Sequence, residues 1–347
     1  MRRVCYIGSF TGPTDEGMRN VADSVLRTQA QHCEVLGVNP SSILFHPNRL
    51  KSFRPDILHY LSGPTILSLA LLTLARMETA CKRTVVTATH PWLLGMRLLP
   101  AKFKPELVIA QSTNQMKLLE ELFGRIVLVP NGVDLQKFKP METGARKAMR
   151  SSMGIAESDF VVLHVGNLRT GRNLEVLARL NQTPRLRAIL VSSTTVGHRS
   201  AKLAKALRTA GVFIIEDFVP RIQDFYGISD CYVFPTMETG RAIEIPLSVL
   251  EAMACNVPVV CTPFGGLPDV LTPNKWLRFA WSPEDIENRV LEIRQLHGAD
   301  GERCTTRDQA LPLSWESIID RMNYLYDELT NNDAVGQTPY GFGADGR

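Results

Sequence analysis

Two acidic residues, Glu244 and Glu251, lie on either side of the start of a predicted helix. Pro246 is favoured in the first turn of a helix, where its missing N–H would be unpaired in any case. Apolar residues recur at helical spacing over 247–254, and the apolar run 257–261 is typical of a buried parallel strand. Carboxylates here can accept hydrogen bonds from sugar hydroxyls beside a diphosphate, which a helix N-terminus attracts. The structural alternative is that Glu244 caps the helix and Glu251 forms a surface ion pair.

Two arginines, Arg169 and Arg172, follow a second predicted strand, F-V-V-L-H-V, which runs into Gly166. A helix is predicted from about Asn173. A diphosphate at this helix start would meet two guanidinium groups as well as free backbone N–H groups. Guanidinium suits the role because its planar set of donors matches phosphate oxygens. The alternative is that both arginines are solvated surface residues.

Residues 246–254, P-L-S-V-L-E-A-M-A, and 258–266, P-V-V-C-T-P-F-G-G, resemble the donor-sugar motif of retaining glycosyltransferases of family 4, which have the GT-B fold. Residues 130–140, P-N-G-V-D-x-x-x-F-x-P, resemble the segment that closes the first domain throughout that family.

Two positions depart from the family pattern. The family places its two acids eight positions apart, but Ile243 stands eight positions before Glu251. The first acid is therefore Glu244, shifted by one position, or Glu238 from the preceding loop. Asn256 stands where the family usually has Gly.

The resemblance implies roles for these residues. Glu251 would bind the two ribose hydroxyls of a nucleotide sugar, and Glu244 would hold hydroxyls of its hexose. Arg172 lies near the sequence position of the family's phosphate-binding lysine and would make the main contact with the donor phosphates. Arg169 would make a lesser contact, since Asn167 occupies the family's arginine position.

Four more residues are assigned to the donor site by resemblance. His90 follows the strand T-V-V-T-A-T and would face the donor hexose, although a histidine at a strand end can also be structural. Gly17 lies, with Gly12, in the polar loop after the first strand and would lie against the donor phosphates or the acceptor, with plain turn chemistry as the alternative. Backbone groups of Val219 and Arg221 would pair with the nucleobase. The catalytic candidates are Arg172, Glu244 and His90.

Alternating buried strands and amphipathic helices predict an α/β fold, and the resemblance implies two Rossmann-like doubly wound domains facing a cleft. We expect an acceptor-side domain at 1–135, a linker at 136–158 and a nucleotide-sugar domain at 159–313. A C-terminal helix at 314–330 would return to the first domain. Residues 331–347 have no periodic apolar pattern and are expected to be disordered.

Composition limits the class of protein. The 347 residues are 44% hydrophobic and 21% charged, which is typical of a soluble globular protein. A net charge of +4 is far from that of a dedicated nucleic-acid binder, so no specific nucleic-acid binding is expected. Seven scattered cysteines without a C-x-x-C pair favour reduced thiols and a cytoplasmic location. The apolar part of the N-terminus is too short for a signal peptide, and the apolar run 66–75 is too short for a membrane span.

The implied reaction is transfer of a hexose from a nucleotide diphosphate sugar to a hydroxyl acceptor, with retention at the anomeric carbon. No D-x-D pair occurs in the sequence, so we expect no metal site and no cofactor besides the nucleotide sugar. Two alternatives share the fold: a nucleotide-sugar epimerase, and a catalytically silent binding subunit. A phosphorylase would need a pyridoxal-binding lysine, for which no motif is present.

The basic residues are concentrated in the first part of the chain. Residues 1–135 contain 15 Lys and Arg against 10 Asp and Glu. Basic residues beside an exposed apolar segment can dock a protein on an anionic membrane, and the apolar run 92–99 lies among them. The alternative is that this run packs inside the domain. The basic residues are Arg49, Lys51, Arg54, Arg76, Lys82, Arg83, Arg97, Lys102 and Lys104.

Overall fold

A computed structural model describes residues 1–12, 16–89, 97, 99–193, 200–297 and 303–331. The chain divides into two compact units. The first contains Met1–Phe10, Val25–Pro130 and the chain from Glu316, and the second contains Thr11–Ser24 and Asn131–Trp315. The chain therefore passes from one unit to the other at four points.

The first unit is built on one sheet of six parallel strands in the order β2-β1-β3-β4-β5-β6. Strands that are buried along their whole length, as β3 and β5 are, are typical of a parallel sheet covered on both faces. The strands are β1 Arg3–Ile7, β2 Glu34–Val38, β3 Ile57–Tyr60, β4 Arg83–Thr87, β5 Leu107–Ala110 and β6 Ile126–Leu128. The helices are α1 Gly17–Gln29, which begins in the second unit, α2 Pro40–Phe45, α3 Pro47–Phe53, α4 Ile66–Thr79 and α5 Thr113–Glu120.

The last described helix, Trp315–Thr330 (α14), packs on the first unit through buried polar groups. The Tyr326 hydroxyl lies 2.6 Å from His59 Nδ1 and 3.1 Å from the Tyr6 hydroxyl. The other ring nitrogen of His59 lies 2.7 Å from Thr87 Oγ1. Burial lowers the pKa of His59 to about 3, so the ring is neutral and both of its nitrogens are paired. This network holds α14 against β1, β3 and β4.

The second unit has its own sheet of six parallel strands, in the order β12-β11-β10-β7-β8-β9. The strands are β7 Phe160–Val165, β8 Leu186–Val191, β9 Phe213–Ile215, β10 Cys231–Phe234, β11 Val259–Cys261 and β12 Leu277–Phe279. The helices are α6 Thr143–Ser152, α7 Glu175–Asn181, α8 Ala201–Thr209, α9 Ile222–Ile228, α10 Leu247–Ala254, α11 Leu267–Val270, α12 Pro283–His297 and α13 Thr306–Ala310.

The strand order reverses between β7 and β10. The strand that follows β7 along the chain, β8, pairs on one side of it, and β10 pairs on the other. Loops that leave the carboxyl ends of strands at such a point diverge and leave a crevice, where open α/β sheets bind ligands. The loops after β7 and β10 are therefore the first place to look for a site.

Asn256, which departs from the family's glycine, lies just beyond the end of α10 in the left-handed conformation, with φ +58°. The backbone N–H of Asn256 bonds the Met253 carbonyl at 2.8 Å, which closes the helix end. Its side chain donates to the Cys304 carbonyl at 2.7 Å and accepts from the Arg307 N–H at 3.2 Å. Asparagine tolerates this backbone better than other residues with a side chain, and here it also ties α10 to α13.

The sequence-based fold class is confirmed, since each unit is a parallel sheet with helices packed against it. The apolar run 66–75 lies within α4, and the strand predicted at 257–261 is the shorter β11. Among the described residues, no helix combines the length and the apolar character needed to cross a bilayer. All seven cysteines are unpaired.

Candidate active site

Arg172 is the central cation at the carboxyl end of β7. Its side chain is only 5% exposed, and Nε and Nη2 donate to the Arg241 carbonyl at 3.2 and 2.8 Å. Burial lowers the pKa of Arg172 to about 10, which still leaves the guanidinium charged at neutral pH. Arg172 thus links the loop after β7 to the loop after β10. The alternative that both arginines are solvated surface residues therefore fits Arg169 better than Arg172.

Gly171 is a second point of close approach between the loop after β7 and the loop after β10. Its φ of +80° is unfavourable for a residue with a side chain, and a Cβ there would lie 2.7 Å from Glu238 Oε2. Glu238 is exposed and accepts a hydrogen bond from Arg241 Nε at 2.8 Å. The candidate Glu238 is therefore already paired and lies on the loop after β10, beside Arg241, whose carbonyl accepts from Arg172.

The backbone at Glu244 is held from two sides. Its carbonyl accepts from the Gly266 N–H at 2.9 Å, and a Cβ on Gly265 would lie 2.2 Å from that carbonyl oxygen. On the other side, Asn131 Nδ2 donates to the Ile245 carbonyl at 3.0 Å. Glu244 is half-buried and lies two residues before Pro246, where α10 starts. The P-N-G and G-G motifs, far apart in sequence, thus position two neighbouring residues, Ile245 and Glu244.

Glu251 is a buried carboxylate, 7% exposed, in the middle of α10. Its Oε2 accepts from the Tyr226 hydroxyl at 2.7 Å. Burial raises the pKa of Glu251, while the Tyr226 hydrogen bond and the Lys137 charge act in the opposite direction. No other hydrogen bond to this carboxylate is found in the described part of the chain, so Oε1 is left for a ligand.

Aromatic rings fill the space between Glu251 and Arg172. Tyr226 lies against Tyr232 with ring centroids 5.8 Å apart, and Tyr232 stacks on His164 at 6.2 Å. The Tyr232 hydroxyl donates to Ser248 Oγ at 2.7 Å, in the first turn of α10. The acidic and the basic ends of the site are therefore joined by one row of packed rings.

The remaining candidates of the second unit are Arg169, on the same loop as Arg172, and Val219, Arg221 and Gly17 on other segments. Arg169 is half-buried, with no hydrogen-bonding partner for its guanidinium among the residues that the structure describes. Val219 is half-buried, and Arg221 is exposed and paired with Asp224 at 2.7 Å at the start of α9. Gly17 belongs to the second unit, where a Cβ on it would lie 3.5 Å from Ile243 Cδ1.

His90 lies outside the described residues, as does the run 92–99 apart from Arg97 and Leu99. Across the ranges that are described, no group of three or more His, Cys, Asp or Glu is arranged to hold a metal ion.

Sequence reasoning missed three residues of this site: Asn131, His164 and Tyr226. Asn131 is part of the P-N-G motif, which the sequence linked only to the end of the first domain. His164 and Tyr226 had no signal beyond their place in apolar stretches, because their partners are 69 and 25 residues away.

Known proteins match this chain in sequence. A family model described as glycosyl transferases group 1 matches residues 159–297. The sulfoquinovosyl transferase SQD2 of Arabidopsis thaliana is 24% identical over 304 residues, covering 78% of this chain and 56% of that protein. The D-inositol 3-phosphate glycosyltransferase of Rhodococcus erythropolis is 30% identical over 178 residues, covering 46% of this chain and 39% of that protein. The chain thus spans about half the length of these curated relatives.

Solved structures match the fold over nearly the whole chain. A glycosyltransferase from Rickettsia africae has a TM-score of 0.76 at 15% identity and covers 96% of this chain and 99% of its own. HepE from Anabaena, in complex with UDP, has a TM-score of 0.70 at 17% identity and covers 94% and 99%. The prediction of a GT-B fold is confirmed. Residues 159–297 of the chain match the family described as glycosyl transferases group 1, and its two Rossmann-like units have the fold of the GT-B glycosyltransferases.

Proposed function

We propose that the chain transfers a hexose from a nucleotide diphosphate sugar to a hydroxyl acceptor, with retention at the anomeric carbon. The observation that carries the proposal is the pairing of a buried arginine with the loop that leads to two carboxylates. Arg172 donates to the Arg241 carbonyl, and Glu244 and Glu251 follow within the next ten residues. Charges of both signs are thus fixed around the β7/β10 crevice, where a diphosphate and sugar hydroxyls can bind together.

Each group has a distinct task. The diphosphate gains charge as the glycosidic bond breaks, and Arg172, assisted by Arg169, stabilises that charge. The uncapped N-terminus of α10 adds backbone N–H groups to the same end of the site. Glu251 Oε1 accepts from the ribose hydroxyls, and Glu244 holds hydroxyls of the hexose.

The other candidates complete the donor site. Gly17, beside Ile243, lets the loop before α1 approach the donor closely. Val219 and Arg221 present backbone groups to the base, and the resemblance to family 4 assigns His90 to the hexose. Retention requires no enzymic nucleophile if the acceptor enters on the face that the diphosphate leaves. The resemblance to family 4 supports this stereochemistry.

The nucleobase of the donor is to be identified by screening nucleotide sugars, and UDP sugars are the first to test. HepE, whose fold is similar, was solved with UDP and with UDP-glucose. Among the curated relatives is also a GDP-mannose-dependent mannosyltransferase of Corynebacterium glutamicum, 23% identical over 275 residues. Both UDP and GDP sugars therefore belong in a first panel, and unpaired cysteines suit a cytoplasmic enzyme.

The test of the function is release of nucleotide from a panel of nucleotide sugars, with and without hydroxyl acceptors. We expect release with one donor, dependent on an acceptor, and retention of the anomeric configuration in the product. Activity is expected to survive EDTA, because arginines take the place of the metal that a D-x-D pair would hold. Acceptor-independent release would favour an epimerase, no binding or release with any donor would favour a silent subunit, and rescue by Mg²⁺ after EDTA would contradict the metal-free mechanism.

Arg172→Ala is expected to lower kcat by about 100-fold, the usual order for removing one group that stabilises developing charge. Arg169→Ala should have a smaller effect, because Arg169 is half-buried and less firmly held. Arg172→Lys is the matched control, since it keeps the charge but loses the planar set of donors. Steady-state kinetics and thermal unfolding of all three variants check this. A larger loss in Arg169→Ala would show that the phosphates are held by Arg169.

Donor binding is expected to depend on pH through Glu251. An ionised carboxylate accepts more hydroxyl hydrogen bonds than a protonated one, so kcat/KM for the donor should fall as the pH drops through the raised pKa of Glu251. The Tyr226 hydrogen bond lowers that pKa, so Tyr226→Phe should move this acid limb to higher pH. Glu251→Gln should abolish the limb and weaken donor binding by about tenfold, ~1.4 kcal/mol.

The opposite movement of the limb in Tyr226→Phe would contradict this role for the carboxylate. So would unchanged donor affinity in a folded Glu251→Gln variant.

For the acceptor side we propose a peripheral contact with an anionic membrane through the first unit. Leu44 and Phe45 on α2 are 57% and 73% exposed, and Arg49 and Lys51 follow on α3. Not every basic residue is available, since Lys51, Arg83 and Arg97 form ion pairs with Glu78, Glu106 and Glu121. Lys102 is exposed and Lys104 half-buried beside α4, and neither is in one of these pairs.

Binding to phosphatidylglycerol vesicles should fall with added salt, since charges near the surface contribute roughly 1 kcal/mol each. It should also fall in Phe45→Ser and in a variant with Lys102 and Lys104 changed to Glu. Co-sedimentation measures this, with phosphatidylcholine vesicles as the control. Indifference to anionic vesicles at low salt would leave a water-soluble acceptor.

A further inference from the structure

His164 has a buried nitrogen without a partner. The residue lies on β7 and is fully buried. Its Nδ1 is 2.8 Å from the Val233 carbonyl oxygen, which can only accept, so Nδ1 carries the proton. Nε2 is then a bare acceptor, and among the described residues no group donates to it. A buried acceptor left unpaired is destabilising, so its retention calls for an explanation.

The group that faces this acceptor is the guanidinium of Arg172. A Cβ on Gly166 would lie 3.0 Å from His164 Nε2 and 2.5 Å from Arg172 Nη1, so both nitrogens approach the same side of that glycine. Nε and Nη2 of Arg172 are occupied by the Arg241 carbonyl, whereas Nη1 has no acceptor among the described residues. The charge of Arg172 adds to burial in lowering the pKa of His164 to about 3, so the imidazole stays neutral beside it.

Packing alone does not account for a histidine here. Tyr232 stacks on the His164 ring and Phe234 lies at 6.4 Å from it, so the surroundings are those of an apolar aromatic core. The Nδ1 bond to Val233 joins β7 to β10, but it uses only one end of the ring. Nε2 is the end of the ring that faces Arg172. Gly166 lies beside both groups, and a side chain at that position would collide with them.

We propose that His164 is a positioning residue for Arg172: a small rotation of the guanidinium from the position described lets Nε2 accept one N–H of Nη1, and this bond aims the rest of the guanidinium at the donor diphosphate. The inference rests on the proposed function, because it assigns Arg172 to the diphosphate. Once this bond forms, the Arg241 carbonyl and His164 fix the guanidinium plane from two directions. The second N–H of Nη1 and the second N–H of Nη2 remain for phosphate oxygens.

Two substitutions separate this role from a structural one. In His164→Asn, the amide nitrogen can take the place of Nδ1 and keep the bond to Val233, while the Nε2 acceptor is lost. In His164→Gln, the terminal amide can take the place of Nε2, while the bond to Val233 is lost. Positioning predicts that the Asn variant keeps its Tm and has a donor KM raised about tenfold. It also predicts that the Gln variant has a lower Tm and a donor KM near that of wild type.

A second readout needs no donor. Phenylglyoxal modification of Arg172, followed by mass spectrometry of its peptide, should be faster in His164→Asn than in wild type, because the guanidinium is less firmly held. His164→Gln should restore the slower rate. In an Arg172→Ala background, His164→Asn should have no further effect on donor KM.

The proposal is overturned if His164→Asn leaves both the donor KM and the Arg172 modification rate unchanged. It is also overturned if the Gln variant, and not the Asn variant, loses donor affinity, because the Val233 bond would then be the important one. A wild-type chain that binds no nucleotide sugar would contradict the proposed function alone, since the modification rate is measured without a donor.

Discussion

The site depends on one interaction, the bidentate hydrogen bond from the buried Arg172 guanidinium to the Arg241 carbonyl. A charge removed from water must be hydrogen-bonded, and a backbone carbonyl supplies two acceptor lone pairs without adding a second charge. The consequence is mechanical as well as electrostatic. The loop after β7 and the loop after β10 are held as one piece, and Gly166 and Gly171 provide the space that this close approach needs.

Burial shifts the pKa values of the basic and the acidic residue of the site in opposite directions. The pKa of Arg172 is lowered and the pKa of Glu251 is raised, in each case because the interior disfavours the charged form. Tyr226 opposes the effect on Glu251 by donating to its carboxylate, while the Tyr226, Tyr232 and His164 rings keep water from the space between. A dry interior of fixed dipoles strengthens the interaction of both groups with a charged ligand.

What the sequence could reveal was local. The 3.6-residue period of α10, Pro246 before it and the apolar β11 are properties of neighbouring residues, and such patterns were enough for the fold class. The roles expected of Arg172, Glu244 and Glu251 came from the family resemblance. The partners of those residues could not be inferred. Asn131 bonds the Ile245 carbonyl across 114 residues, and the choice of that partner is made by tertiary packing, not by any local pattern.

Asn256 is a second example of contacts that the local sequence does not reveal. In the sequence it is only a departure from the glycine that the resembled family usually has at this position. In the structure the left-handed backbone that explains the usual glycine is present, and the asparagine side chain makes two bonds that glycine cannot make. A residue that departs from a family pattern can therefore satisfy the same backbone requirement in another way.

The docking of α14 has a consequence for the order in which the chain folds during synthesis. The sheet of the first unit is complete once β6 has been made, but His59 lacks the Tyr326 hydroxyl until almost two hundred further residues have left the ribosome. During that time the whole sheet of the second unit is made and can form. The unit that is synthesised first is thus the last to be finished. A nascent chain stopped after β12 would contain all six strands of the second sheet, whereas the first sheet would still lack the helix α14 that packs on it.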